Sequence, residues 1–118
     1  MNADDLYHRG RMAMEAGALE EAVALLQQSI SEWPHVKTLE LEGECLLKLG
    51  RSREAIVPLA AATALHPSAR PPGLLAQAFL ALGHYAEALD FAEEALRRTP
   101  GDPLALEVRD AARGRLAS

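Results

Sequence analysis

Residues 34–67 read PHVKTLELEGECLLKLGRSREAIVPLAAATALHP, a stretch opened by Pro34 and closed by Pro67. Leu39, Gly43 and Leu46 recur at steps of four and three, the spacing of one helix face. Gly50 then interrupts the pattern, and glycine suits the left-handed residue just past a helix C-terminus. Glu54-Ala55, Leu59 and Ala62 resume it, and the run stops before Pro67, which cannot continue a helix. The stretch therefore predicts two helices, 36–49 and 52–65, joined by a tight turn. Pro58 falls inside the second and removes its hydrogen bond to the Glu54 carbonyl, which predicts a bend rather than a break.

The same punctuation recurs on both sides. Pro34, Pro67 and Pro100 lie 33 residues apart, as do Gly17, Gly50 and Gly83. The pairs Glu21-Ala22, Glu54-Ala55 and Glu87-Ala88 share the spacing, and so does the trio Gly10, Gly43, Ala76. Four registers at one period define an internal repeat. The flanking units predict helices at 3–16 and 19–32, and at 71–82 and 85–98. A seventh helix begins with Asp102 as N-cap and Pro103 in its first turn, and runs to about Leu116. It carries Arg109, Asp110, Arg113 and Arg115, giving the polar outer face with which a stack of repeats must end.

Composition supports helices. Alanine (23) and leucine (20) dominate the 118 residues, while Val, Ile and Thr together number nine, which disfavours strands. The net charge is −5 with no basic face, so nucleic acid is not an expected partner. Cys45 is the single cysteine, which excludes an intramolecular disulfide and a multi-cysteine metal site. It shares its slot with Met12 and Ala78, which predicts a small buried hydrophobe. The longest apolar-rich run, Gly73 to Leu82, is half a membrane span, and the first residues show no signal-peptide pattern. A soluble cytoplasmic protein is expected, without membrane insertion.

Catalytic chemistry is not visible. His8, His35, His66 and His84 fall in different parts of the repeat, none set with a carboxylate or a second histidine at ligand spacing. Asp4-Asp5 and Glu20-Glu21 are helix-start carboxylates, favourable at the positive end of the dipole. No phosphate loop or nucleophile elbow occurs. The expectation is no enzyme, no metal and no cofactor.

Paired helices of about 14 residues with glycine turns resemble the tetratricopeptide repeat. The first unit offers Leu6, Arg9-Gly10, Ala13, Ala22, Leu26, Ser29 and Pro34. The second offers Leu39, Glu42-Gly43, Leu46, Ala55, Leu59, Ala62 and Pro67, and the third Pro72, Leu75-Ala76, Phe79, Ala88, Ala92, Ala95 and Pro100. Leu or Ala mostly replaces the family's aromatics, and the turn between units is one residue shorter. Ankyrin repeats share the period, but their Thr-Pro-Leu-His signature is absent. The resemblance implies an all-α, right-handed α-solenoid forming a single domain over 1–118. Its three helix-turn-helix repeats would lie at about 3–35, 36–68 and 69–101, capped by a helix at about 103–116.

The resemblance also implies a concave groove lined by first helices and a convex back of second helices. The groove would hold Asp4, Tyr7, His8, Arg11, Met14 and Glu15, then Lys37, Glu40, Leu41, Glu44, Leu47 and Lys48, then Arg70, Gly73, Leu74, Gln77, Leu80 and Ala81. Two rows cross the units, His8–Leu41–Leu74 and Met14–Leu47–Leu80, the second apolar throughout. Such a groove suits a peptide or amphipathic segment of another protein, the alternative being that the capping helix or a tighter superhelix covers part of these rows. Family members that capture C-terminal carboxylates use Lys, Asn and Arg in slots held here by Tyr7, Arg11, Leu41, Arg70 and Leu74, and only Arg70 has that chemistry.

Three local expectations complete the reading. Arg9 and Glu42 share a slot in adjacent units and are expected to form a partly buried ion pair. Trp33 is expected to pack across the turn between units, with anchoring of a partner as the alternative. Between Ala55 and Ala86 the only charged residue is Arg70, so Val57, Pro58, Ala61 and Ala64 form a candidate convex or self-association patch that could support a homodimer. The function expected is a non-catalytic adaptor or chaperone-like scaffold. The alternatives are a self-associating subunit of a larger assembly or, by analogy of architecture alone, a small secretion-type chaperone.

Overall fold

Three first helices end in the same way in the computed structural model, which describes all 118 residues. Gly17, Gly50 and Gly83 adopt φ of +82°, +76° and +79°, the left-handed region that a side chain resists. Each glycine N–H donates three residues back, to the Met14, Leu47 or Leu80 carbonyl, at 3.0 Å. The next residue's N–H reaches back five, from Ala18 to Ala13, Arg51 to Leu46 and His84 to Phe79, at 2.8–2.9 Å. This is the Schellman closure, and it leads directly into a second helix.

The helices are α1 (Ala3–Glu15), α2 (Leu19–Glu32), α3 (Val36–Lys48), α4 (Ser52–Leu65), α5 (Arg70–Ala81), α6 (Tyr85–Arg98) and α7 (Pro103–Leu116). All seven expected helices are present. The second helices and α7 match their expected bounds, while α1, α3 and α5 stop one residue early because Ala16, Leu49 and Leu82 serve as C-caps. Asp102 caps α7 through a bond from the Ala105 N–H to its Oδ2 at 3.0 Å. Pro58 leaves α4 unbroken over its full length.

Each helix packs on its neighbours in the chain, which makes a stack 49 × 26 × 20 Å in extent. Successive first helices also approach closely, α1 with α3, α3 with α5 and α5 with α7, whereas the backbones of α2, α4 and α6 stay farther apart. Closer spacing on one side curves the stack, so the faces of α1, α3, α5 and α7 lie on its inner side. Inside each unit the two helices approach through small residues. Ala22, Ala55 and Ala88 are fully buried, and a Cβ on Gly10 would sit 2.8 Å from Leu26 Cγ. A Cβ on Gly43 would overlap Leu59 Cγ and Cδ2.

The expected Arg9–Glu42 ion pair does not form. Arg9 is exposed, whereas Glu42 is buried beside Gln27 of α2. The shared slot faces back toward the preceding unit, and the first unit has none. The same stripe shows the effect throughout: Asp5, Arg9 and Met12 are exposed, while Thr38, Glu42 and Cys45 are buried, as are Pro71, Leu75 and Ala78. Burial pushes the Cys45 thiol up to about 11, leaving it protonated and unreactive. Trp33 also departs from expectation. The chain leaves α2 in extended conformation there, and the indole is 67% exposed instead of packing across the turn.

Arg98, which the sequence reading passed over, ties the second unit to the third. Its guanidinium donates to the carbonyls of Thr63 (3.1 Å), His66 (2.8 Å) and Ser68 (3.2 Å), while Nε donates to Glu94 at 2.8 Å. Arg98→Ala should lower unfolding free energy by about 2 kcal/mol, since three carbonyls lose a charged donor. Arg98→Lys should recover only part of that, because an ammonium lacks the planar fork. Gly43→Ala should cost about 1–3 kcal/mol through overpacking, outweighing a gain of up to about 1 kcal/mol in helix propensity. Urea titration followed by circular dichroism measures all three.

Candidate functional site

The inner face takes its side chains from positions that the repeat frame leaves free after packing. Met14, Leu47 and Leu80 occupy one slot in successive units, and each is half-buried against the core. Tyr7 is half-buried, with His8 edge-on to its ring at a centroid distance of 5.4 Å. The other row does not form an accessible line. His8 is exposed and Leu41 half-buried, but Leu74 is only 4% exposed, packed in the central core cluster that Leu104 of α7 also adjoins. Gly73 is buried too, and a Cβ there would lie 3.4 Å from Leu104 Cδ2. The start of α7 thus covers the start of α5, which removes Gly73 and Leu74 from the accessible surface.

Most charged groups on this face are paired, with Lys37 and Glu40 the exceptions. Glu44 accepts from Arg70 and lies 3.9 Å from Lys48, joining α3 to α5. Arg11 donates to Glu15 at 3.3 Å, and His8 lies 3.6 Å from Asp4. Lys37, Glu40, His66 and Arg70 line a depression of about 160 Å³. Partial burial raises the Glu40 carboxyl above its ordinary value, and Arg70 opposes that shift. Gln77 stays exposed. Two histidines do meet carboxylates, contrary to expectation, since His84 also lies 3.2 Å from Glu87. Both contacts are between neighbours along one helix.

A larger hollow of about 520 Å³ opens where α1, α2 and α3 meet. Tyr7 and Trp33 border it together with Asp4 and Lys37. At the other end Leu80 borders a depression with Tyr85, Asp110 and Arg115. Arg115 there donates to the Tyr85 hydroxyl at 2.7 Å and lies over its ring. These α7 residues extend the inner face beyond the three units, whereas the sequence pattern assigns Asp110 and Arg115 to the polar outer face of the capping helix. The signal was present: continuing the period by 33 aligns Val108 with the buried Leu75, and Val108 is buried as well.

The outer side departs from expectation at one residue. Val57 and Ala64 of the proposed patch are exposed and Ala61 is half-buried, but Pro58 is buried. Its ring turns inward and lines a pocket of about 400 Å³ between α2 and α4, where Glu42 also lies. Desolvation raises the Glu42 carboxyl above its ordinary value, and a hydrogen bond from Gln27 offsets this in part.

Family models described as tetratricopeptide repeat match residues 6–35 and 41–103, the second alone spanning more than half the chain. The chain belongs to the tetratricopeptide-repeat family. Among solved structures it is similar to the first such domain of Spaghetti (RPAP3) bound to an HSP90 peptide, with a TM-score of 0.94 at 20% identity over 99% of this chain and 94% of that one. It is similar to the Sgt2 domain of Aspergillus fumigatus, with a TM-score of 0.90 at 18% identity over 98% of this chain and 79% of that one. The Yersinia enterocolitica type III secretion chaperone SycD, solved with a peptide of the translocator YopD, gives 0.85 at 19% identity over 97% and 92%. No curated protein sequence matches the chain. These likenesses establish the fold. No helix is long and apolar enough to cross a membrane.

The raised Glu42 value has a stability consequence. Below the unfolded-state glutamate pKa of about 4.3 the carboxyl is protonated in both states and costs nothing. As pH rises past that value the unfolded chain releases its proton first, so folding loses stability until the folded-state value is passed. Glu42→Gln should therefore melt above the parent at pH 7. The advantage should vanish near pH 3, as read by thermal denaturation at both pH values.

Proposed function

We propose that the chain is a non-catalytic protein-interaction module that holds a peptide or amphipathic segment of a partner along its inner face. The half-buried Met14–Leu47–Leu80 row carries this reading, because three apolar side chains at one slot offer successive anchor points while their flanks are charged. Tyr7 and Trp33 would extend the apolar surface at one end. The HSP90 peptide on the first Spaghetti domain and the YopD peptide on SycD make peptide capture a natural use of such a fold.

The partner chemistry favoured is apolar rather than a terminal carboxylate. Of the slots that would form a carboxylate clamp, Arg70 is engaged by Glu44, Arg11 by Glu15, Leu74 is buried, and Tyr7 and Leu41 carry no charge. The likeness to SycD is of the same order as that to Sgt2, so it does not single out secretion chaperoning. A cytoplasmic adaptor or chaperone-like scaffold fits this reading.

Self-association through α4 is the second reading, favoured by Val57 at 75% and Leu65 at 64% exposure on a helix whose later turns carry no charge. The two readings separate experimentally. Leu47→Glu combined with Leu80→Glu should leave helicity intact and weaken capture of native partners at least about tenfold, since each lost anchor is worth about 1.5–3 kcal/mol. Affinity capture from the native cell with mass spectrometry measures this, and undiminished capture removes the groove reading. A mass of one chain by light scattering across micromolar concentrations removes the second.

A further inference from the structure

The opening between α2 and α4 holds a group that the inner face does not use. Because the backbones of successive second helices stay apart, side chains must close each junction over the first helix of the later unit. Between α4 and α6 apolar bulk closes that opening: Leu75 is 1% exposed, and Phe91 stacks on Phe79 with ring centroids 5.6 Å apart. Between α2 and α4 the corresponding slots hold Glu42 in place of Leu75 and Pro58 in place of Phe91. A smaller wall and a carboxyl leave the pocket of about 400 Å³, with Ile30, Leu39, Val57 and Ala61 among its walls.

Glu42 is 8% exposed and borders this pocket, yet no cation of the chain pairs with it. Arg51 is engaged elsewhere, by the pocket-lining Glu54 (2.6 and 2.8 Å) and by Glu20 (3.2 Å). A leucine in the equivalent slot shows that the frame has no packing need for a carboxyl. Burying one without a positive partner opposes folding, as its raised pKa records.

We infer that this outer pocket is a socket for a single lysine or arginine side chain of a partner protein. An aliphatic stem would lie against Ile30, Val57 and Ala61 while the cationic head meets Glu42, the division of labour for which basic side chains are built. An apolar or acidic anchor would leave the carboxylate buried and unpaired, so the pocket selects for positive charge. The uncharged stretch of α4 beyond it offers the residues flanking the anchor an apolar bed, and the net charge of −5 favours approach of a basic segment. The inference is independent of the inner-face reading.

The full chain, labelled with nitrogen-15, tests it against N-acetyl-lysine methylamide and its uncharged isostere N-acetyl-norleucine methylamide. The lysine probe should shift the amides of Gln27, Glu42 and Val57 along a saturable curve. The norleucine probe should bind about tenfold more weakly, the factor that one charge-assisted hydrogen bond supplies. Glu42→Gln, which preserves shape, and Glu42→Leu, which copies Leu75, should both abolish the lysine preference. Equal response to the two probes, a lysine preference that survives both variants, or shifts confined to the inner face would overturn the assignment. So would a dimer in sedimentation that Glu42→Gln dissolves, since that would give the pocket to a second copy of the chain.

Discussion

The contact on which the structure depends is the close approach of the two helices inside each unit. Gly10 against Leu26 and Gly43 against Leu59 leave no room for a β-carbon, Ala76 packs with Ala88 in the third unit, and Ala22, Ala55 and Ala88 of the second helices are fully buried. Helices this close bury leucines completely without large aromatics, which explains how a chain with 4% aromatic residues holds a continuous core. That contact fixes how the helices of one unit sit on each other, and the glycine turn fixes how one becomes the next. Stacking then follows, because a single helix pair cannot cover its own apolar faces.

The sequence revealed this frame well because its determinants are local and repeated. Glycine turns, terminal prolines and small-residue slots state their purpose within about a dozen positions, and three copies distinguish pattern from accident. What it did not reveal concerns edges and partners in space. Arg9 and Glu42 share a slot, but a shared slot means equivalent surroundings only where both units have a neighbour on the same side. Arg9 lacks that neighbour and faces water, while Glu42 has it and is buried. Leu74 was misplaced for the complementary reason: its equivalents His8 and Leu41 are accessible, but the third unit lies under the capping helix and theirs do not. Arg98 escaped notice because its acceptors are backbone carbonyls 30 to 35 residues away, which have no sequence signature.

The two sides of the stack differ in how their charges are satisfied. On the inner side, Arg70 meets Glu44, Arg11 meets Glu15 and His8 lies near Asp4, leaving the apolar row, with Lys37 and Glu40 beside it, available to a ligand. Exposed pairs of this kind contribute little to stability. They do neutralise a face that would otherwise attract ions before apolar segments. On the outer side α4 is uncharged beyond Glu54, and Glu42 of α3 holds a carboxyl beneath the surface between α2 and α4.

A repeat protein provides its own control for reading such an exception. Where three units share a frame, the substitution that one unit makes can be judged against what the others show to be sufficient. Ser29 stands where the other units have Ala62 and Ala95, and its hydroxyl finds the Ala3 carbonyl at 2.7 Å, a departure explained by anchoring the start of α1. Glu42 and Pro58 depart together from Leu75 and Phe91, and the bond that Glu42 accepts from Gln27 leaves its charge without a positive partner. Pro58 alone would leave a hole that larger apolar side chains could refill, and Glu42 alone would press a carboxyl against a packed wall. Only in combination do they produce a charged recess that opens outward, and a recess of that chemistry is completed by a cation from outside the chain.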